Sequence, residues 1–167
     1  SRESLTKVQF LFAGGFIIAL AIQKWDLHKR VALNILKFSG LNSQGIVASF
    51  MVASAVLSMW VMNTSTAIML LPVGISVIKV INDTVNEITD NQKFNFQLCL
   101  LLGIAYAASV GGIATPIGTS PNGVLIQFAS NNYDYDIGFA NWISIGLPIT
   151  LGSVSYTHLR AHETCLD

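Results

Sequence analysis

Long apolar stretches run through most of this chain, and short polar segments separate them. Apolar residues make up 52% of the sequence and charged residues only 11%, whereas a soluble domain carries about a quarter charged residues. A membrane-spanning helix needs roughly 20 consecutive, mostly apolar residues. The sequence therefore predicts an all-α membrane protein in the lipid bilayer, with apolar stretches at residues 8–22, 45–62, 66–80, 96–128 and 139–151.

The polar segments divide the chain into predicted elements. Basic residues Lys24, Lys29, Arg30 and Lys37 lie in and around a short amphipathic segment. This predicts a helix in the plane of the membrane interface, on the cytoplasmic side. The full set comprises a scaffold helix at 5–23, this interfacial helix at 27–39, a re-entrant helical hairpin at 44–81, a discontinuous helix at 94–129 and a truncated helix at 139–152.

The last residues need separate treatment. Residues 154–164 interrupt the final apolar stretch without a turn signal, and they resemble a translated sequencing adaptor. We expect residues 154–167 not to be native sequence, the alternative being a polar tail after a membrane helix. With Cys165 set aside, only Cys99 remains and no disulfide is predicted. The chain also begins without an initiating Met, so we expect part of a longer protein.

The connection within the predicted hairpin is short, uncharged and polar, running from Met62 to Thr66 through Asn63, Thr64 and Ser65. Non-helical backbone at membrane depth has to be buried in protein or line a wet cavity. If the chain turns there, its carbonyl, hydroxyl and amide oxygens suit a small cation, and the following helix N-terminus attracts an anion. An ordinary hairpin of two full spans fits the same residues equally well.

The stretch 96–128 is too long for one span, and glycines and prolines interrupt it. Pro116 and Pro121 each remove a helical hydrogen bond. We therefore expect one helix to end near Gly112–Thr115 and another to start near Pro121, with Thr115, Thr119, Ser120 and Asn122 around the break. A packing face of small residues explains the glycines alone, but it does not explain the two prolines.

No acidic residue lies inside an apolar stretch. An intramembrane carboxylate is the usual proton carrier of transporters. Its absence from these stretches favours a cation held by neutral oxygens over proton coupling. No His/Asp pair, metal cluster or activated nucleophile lies at membrane depth either, so no enzyme is predicted. The net charge of zero gives no case for a nucleic-acid partner.

Two blocks of sequence, 57–72 and 109–122, resemble the divalent anion:sodium symporter family, the sodium-dependent di- and tricarboxylate transporters. The resemblance covers residues 5 to about 151. It implies that Ser58, Asn63 and Gly118 hold a sodium ion, and that Asn63, Thr64 and Thr119 contact a substrate carboxylate. It also implies a homodimer that works by an elevator-like motion, with two inverted repeats per protomer. Only the first repeat is expected in this chain.

The sequence departs from the family pattern at two places. Met62 stands where the family has a serine, and a thioether is a poor ligand for a hard cation. Any sodium contact at Met62 therefore has to come from its backbone carbonyl. Ser120–Pro121 stands where the family has two prolines. Both departures bear on the fine geometry of the ion site rather than on the family.

The resemblance implies sodium-coupled symport of dicarboxylates such as succinate, malate or fumarate across the cytoplasmic membrane. The fragment alone is expected to be inactive. One alternative is an anion exchanger, or a sulfate or citrate carrier, on the same scaffold. The other is a structural membrane subunit that transports nothing, in which polar substitutions at Thr64 and Thr119 would leave any activity unchanged.

Overall fold

The computed structural model describes residues 43–84 and 89–164, together with scattered positions between residues 9 and 34. The predicted helices at 5–23 and 27–39 therefore lie largely outside the described residues. In the described part every regular element is helical, which confirms the all-α class. The elements are α1 at Ser43–Ser58, α2 at Asn63–Thr84, α3 at Asp90–Gly111, a 3-10 turn at Gly112–Ala114, α4 at Ser120–Tyr133 and α5 at Phe139–Thr164.

Helices α2 and α3 are long and apolar enough to cross a membrane, over Asn63–Asp83 and Asp90–Ala114. Helix α1 is described over the 16 residues Ser43–Ser58, and the residues directly before Ser43 lie outside the described part. The re-entrant path itself stays a prediction.

Helix α3 lies at the centre of the described structure and packs against α1, α2 and α5. Its apolar core is shared among three helices, with Phe50 and Met51 from α1, Leu70 from α2, and Leu100 and Ile104 from α3 all almost fully buried. The hairpin α1–α2 and the broken helix are therefore held together by one continuous apolar cluster.

Small residues let α1 and α3 approach closely. Gly103, Ala107 and Gly111 recur every four residues along α3, a spacing that brings them to one helix face. A Cβ added at Gly111 would lie 2.6 Å from the Cα of Ala55 and would also meet its carbonyl oxygen. The small-residue packing face weighed from the sequence is thus present, and the helix break follows directly after it.

Two serines of α1 add polar links to this apolar contact. The hydroxyls of Ser54 and Ser58 donate to the carbonyl oxygens of Ile104 and Ala108, at 2.8 Å and 2.5 Å. Both serine side chains are fully buried. Because each pair is four residues apart on its helix, the two links fix the register of α1 against α3.

The C-terminal helix is longer than predicted. Helix α5 runs from Phe139 to Thr164, whereas the sequence interpretation ended it at residue 152. No glycine or proline follows Gly152 to stop the helix. That residues 154–167 are not native sequence stays a prediction.

The prediction of no disulfide is wrong, because Cys99 is disulfide-bonded. That prediction had set aside everything after residue 153. Helix α5, which continues past residue 153, packs against α3, the helix that carries Cys99.

We predict that Gly111→Ala destabilises the full-length protein, because its methyl group would press against the backbone of Ala55. Overpacking of this kind costs about 1–3 kcal/mol. The matched control is Gly152→Ala, where nothing lies within 4 Å and where alanine favours the helix by up to about 1 kcal/mol. The measurement is thermal unfolding in detergent. Equal unfolding temperatures for the two variants would contradict the close approach of α1 and α3.

Candidate ion and substrate site

The discontinuous helix predicted from the glycines and prolines is present, over residues 90–133. Helix α3 ends at Gly111, tightens into the 3-10 turn, and becomes extended at Thr115, with φ −128° and ψ 154°. A residue before proline is pushed out of the helical region, which explains this conformation ahead of Pro116. Helix α4 then begins at Ser120, with Pro121 in its first turn, where a missing N–H does no harm.

The turn of the hairpin lies against this break. After Ser58 the chain makes a tight turn, in which the N–H of Val61 donates to Leu57 at 3.0 Å, and α2 starts at Asn63. The hydroxyl of Thr115, in the break, donates to the carbonyl oxygen of Met59, in the turn. This hydrogen bond joins the hairpin turn to the helix break, two segments of the described chain where apolar helices are interrupted.

Ser58, Asn63 and Gly118 come together at this contact. One terminal atom of the Asn63 amide lies 2.8 Å from Ser58 Oγ and 3.2 Å from the carbonyl oxygens of both Gly118 and Ala108. Ser58 and Gly118 are buried, and Asn63 is half-buried. The three residues to which the resemblance assigns sodium binding therefore form one cluster.

The Asn63 amide fits this cluster in two orientations. With its nitrogen turned inward, it donates to Ser58 Oγ and to the carbonyls of Gly118 and Ala108. With its oxygen turned inward, Oδ1 faces the oxygens of Ser58, Gly118 and Ala108, and the one hydroxyl hydrogen of Ser58 is already donated to the Ala108 carbonyl. Since oxygens repel one another electrostatically, the second orientation is favourable only with a cation among them.

Two glycines make room for the cluster. A Cβ added at Gly118 would lie 2.6 Å from the carbonyl oxygen of Gly112 and 2.9 Å from that of Ser58. A Cβ at Gly112 would overlap the Asn63 amide, 3.0 Å from its Cγ. The carbonyl oxygens of Ser58 and Gly112 thus lie beside Gly118, and side chains at either glycine would displace them.

The chemistry of this cluster suits a small, hard cation. Oxygen ligands lie about 2.4 Å from Ca²⁺, a cation similar in size to Na⁺, so adjacent octahedral ligands are about 3.4 Å apart. The 3.2 Å separations around the Asn63 amide are close to that spacing. Among the described residues, no group of three or more His, Cys, Asp or Glu could hold a metal ion. A cation here would therefore be bound by neutral oxygens.

The predicted substrate residues adjoin the cluster. Thr64 follows Asn63 in the first turn of α2 and is exposed. Thr119 follows Gly118, precedes the first turn of α4 in an extended conformation, and does not cap that helix with its hydroxyl. Both residues lie at helix N-termini, where unpaired N–H groups and the helix dipole favour an anion. The carbonyl of Met62, the other predicted contact, accepts the N–H of Thr66 at 3.0 Å.

Sequence reasoning placed Thr115 and Asn122 at the break but gave them no role. Besides its bond to Met59, the Thr115 Oγ1 accepts the N–H of Gly118 at 3.1 Å. Asn122 Nδ2 donates to the carbonyls of Gly112 and Thr115, at 2.9 Å and 2.8 Å. The sequence could have indicated a role for both residues, because polar side chains beside a broken apolar helix need hydrogen-bond partners.

The contribution of α5 was missed altogether. Trp142 Nε1 donates to the carbonyl of Ile113 at 2.9 Å, and Thr150 Oγ1 donates to that of Val110 at 3.3 Å. Between them, Gly146 lets α5 approach the same segment, since a Cβ there would lie 2.8 Å from the Ile113 oxygen. The spacing 142–146–150 on one helical face could have indicated this contact.

Comparison with known proteins identifies relatives of this arrangement. The sequence profile of the citrate transporter family (CitMHS) matches residues 5–162. The sodium-dependent dicarboxylate transporter SdcS of Staphylococcus aureus strain USA300 is 39% identical over 164 residues, which cover 96% of this chain and 31% of that protein. SdcS of strain NCTC 8325 / PS 47 is 38% identical with the same coverage. The chain thus spans less than a third of the length of these relatives.

The match covers almost the whole chain, and the relatives are transporters rather than enzymes. The apolar helices α2 and α3 agree with a place in the membrane. The resemblance carried by residues 57–72 and 109–122 is therefore confirmed, and the chain belongs to the citrate transporter family of integral membrane transporters.

Proposed function

We propose that the full-length protein is a sodium-coupled symporter of dicarboxylates such as succinate, malate and fumarate. The observation that carries this proposal is the cluster of neutral oxygens where the hairpin turn meets the broken helix. Relatives named as sodium-dependent dicarboxylate transporters, with 38–39% identity, support the same function.

In this proposal sodium binds at Ser58, Asn63 and Gly118. The ion turns the Asn63 oxygen inward, toward the oxygens that lie 2.8–3.2 Å from it. The amide nitrogen then takes the outer position, which the oxygen occupied before the flip, and from there it can donate to a carboxylate. Asn63 would thus serve both ligands, and sodium would raise the affinity for substrate. By linkage, substrate raises the affinity for sodium by the same factor.

The substrate carboxylate binds at Asn63, Thr64 and Thr119 in this proposal. The N-termini of α2 and α4 begin at Asn63 and Ser120, so both present positive dipole ends to the anion. Together with the adjacent sodium ion, they supply positive charge to the site without a cationic side chain. Neutral hydroxyls and amides would then orient the carboxylate.

The transport cycle needs more than this chain. We propose that a second inverted repeat supplies another hairpin and another broken helix, and that the protein acts as a homodimer with an elevator-like motion. Under this proposal the described fragment alone does not transport. The re-entrant path of the α1–α2 hairpin belongs to the same proposal, and the hydrogen bond between its turn and the helix break, from Thr115 to Met59, supports it.

Citrate is the second candidate substrate, because the matching family is described as citrate transporters. A tricarboxylate shares the terminal carboxylate that Thr64 and Thr119 would bind. Competition of unlabelled citrate against labelled succinate separates the two candidates.

We predict that the full-length protein in proteoliposomes takes up labelled succinate in sodium but not in choline at equal ionic strength. Sodium is expected to complete the site by turning the Asn63 oxygen inward. Initial uptake rates under both conditions provide the measurement. Equal rates in sodium and choline would refute sodium coupling and would favour exchange or a proton-coupled mechanism.

We predict that Asn63→Ala abolishes uptake, because it removes both the inward oxygen and the outward donor. Asn63→Asp keeps an oxygen for sodium but has no N–H for the carboxylate. Loss of a hydrogen bond to a charged group costs about 1.5–3 kcal/mol, and the new carboxylate also repels the substrate carboxylate, so this variant should lose succinate affinity by at least roughly tenfold. Its stabilisation by sodium, measured as a thermal shift, should persist.

The matched control for these variants is Asn132→Ala. Its amide donates to the Phe128 carbonyl at 3.0 Å on an exposed face, away from the cluster. This variant should transport normally. Full activity of Asn63→Ala, with the protein inserted in the membrane, would refute the site.

We predict that Gly118→Ala weakens sodium binding, because its methyl group would meet the carbonyl oxygens of Gly112 and Ser58. Gly138→Ala is the control, since nothing lies within 4 Å of its added Cβ. The sodium concentration for half-maximal uptake is the readout. It should rise by about tenfold or more for a ligand shell distorted in this way, and an unchanged value would place the ion elsewhere.

A further inference from the structure

A single buried side chain holds the two sides of the 3-10 turn together. Asn122 lies in the first turn of α4 and is only 8% exposed. Its amide nitrogen donates to the carbonyl oxygen of Gly112 at 2.9 Å and to that of Thr115 at 2.8 Å. Both amide hydrogens are thus used, and they connect the start of the turn with the residue directly after it.

Each residue held by Asn122 borders the oxygen cluster. Gly112 packs against the Asn63 amide on one side, and its Cα lies 2.8 Å from a Cβ added at Gly118 on the other. Thr115 donates to Met59 of the hairpin turn and accepts the N–H of Gly118. A displacement of either residue would therefore move Asn63 or Gly118.

We infer that Asn122 is a positioning residue that sets the spacing of the ion-binding oxygens, and with it the affinity for sodium and the preference for sodium over lithium. This inference rests on the proposed sodium site. A planar amide fixes the directions of both its hydrogens, so it holds the two carbonyl oxygens at a set separation. Cations of different radius need different oxygen spacing, and a loosened turn would accommodate both ions more equally.

A purely structural role for Asn122 makes a different prediction. Loss of two buried hydrogen bonds would then lower the unfolding temperature but leave the ratio of sodium to lithium affinity unchanged. The ratio therefore distinguishes a positioning role from simple packing, because both ions are measured on the same protein.

The experiment uses the full-length protein purified in detergent. Its thermal stabilisation is titrated with sodium and with lithium, and choline keeps the ionic strength constant. Asn122→Leu fills the same space without donors, Asn122→Ser keeps one donor, and Asn132→Leu is the control for loss of an amide elsewhere on α4. Asn63→Ala is measured in parallel to test the sodium site itself.

Removal of a residue that orients metal ligands typically lowers metal affinity by about 10- to 100-fold. We expect Asn122→Leu to weaken sodium binding at least tenfold and to reduce the preference for sodium over lithium. Asn122→Ser should fall between Asn122→Leu and the wild type, and Asn132→Leu should match the wild type.

An unchanged preference for sodium in both Asn122 variants would overturn the inference. If Asn122→Leu does not fold, the affinity and preference of Asn122→Ser decide alone. If instead Asn63→Ala keeps its stabilisation by sodium, the proposed site fails, and this outcome is separate from failure of the inference.

Discussion

The structure depends on finding partners for backbone carbonyls where apolar helices are interrupted. In hydrocarbon surroundings an unpaired carbonyl is costly. Here side chains from three helices supply donors. Asn122 of α4 donates to Gly112 and Thr115, and Trp142 of α5 donates to Ile113. Ser58 of α1 and Thr150 of α5 add donors to Ala108 and Val110, which also accept the N–H of Gly112. The break is therefore a fixed feature of the fold, because each of these neighbours is bound to a particular carbonyl.

Proline keeps the carbonyl oxygen of Gly118 out of the helical hydrogen-bond pattern. Pro121 has no N–H to offer Gly118, three residues before it, and the N–H of Asn122 donates to Thr119 instead. The Gly118 oxygen is thus left facing the Asn63 amide at 3.2 Å. Glycine at positions 112 and 118 keeps this space free of side chains. The same residues that break the helix therefore also create the oxygen cluster, so an intact helix could not provide it.

Much of this arrangement could be predicted from local sequence. Pro116, Pro121 and the glycines indicated where the long helix breaks, because they act through their own backbone. The contacts of Trp142 and Thr150 could not be predicted in the same way, since they join residues 29 and 40 positions apart. The end of α5 was predicted at residue 152 because the residues after it resemble a translated adaptor and were set aside, whereas the helix continues to Thr164. The meeting of Asn63 with Gly118 came from family resemblance, as neither residue indicates the other.

In the proposed symporter, the amide of Asn63 would couple two ligands without a titratable group. With nitrogen inward, it donates to the oxygens of Ser58 and Gly118, so these oxygens have hydrogen-bond partners with no ion. With oxygen inward, a cation has to replace those hydrogen bonds, and the donor turns toward the anion. Both orientations occupy the same volume, so the exchange requires no repacking of the buried cluster around it. Under the proposed function, the affinity of each ligand would then depend on the other through one rotation, which is the form of coupling that symport requires.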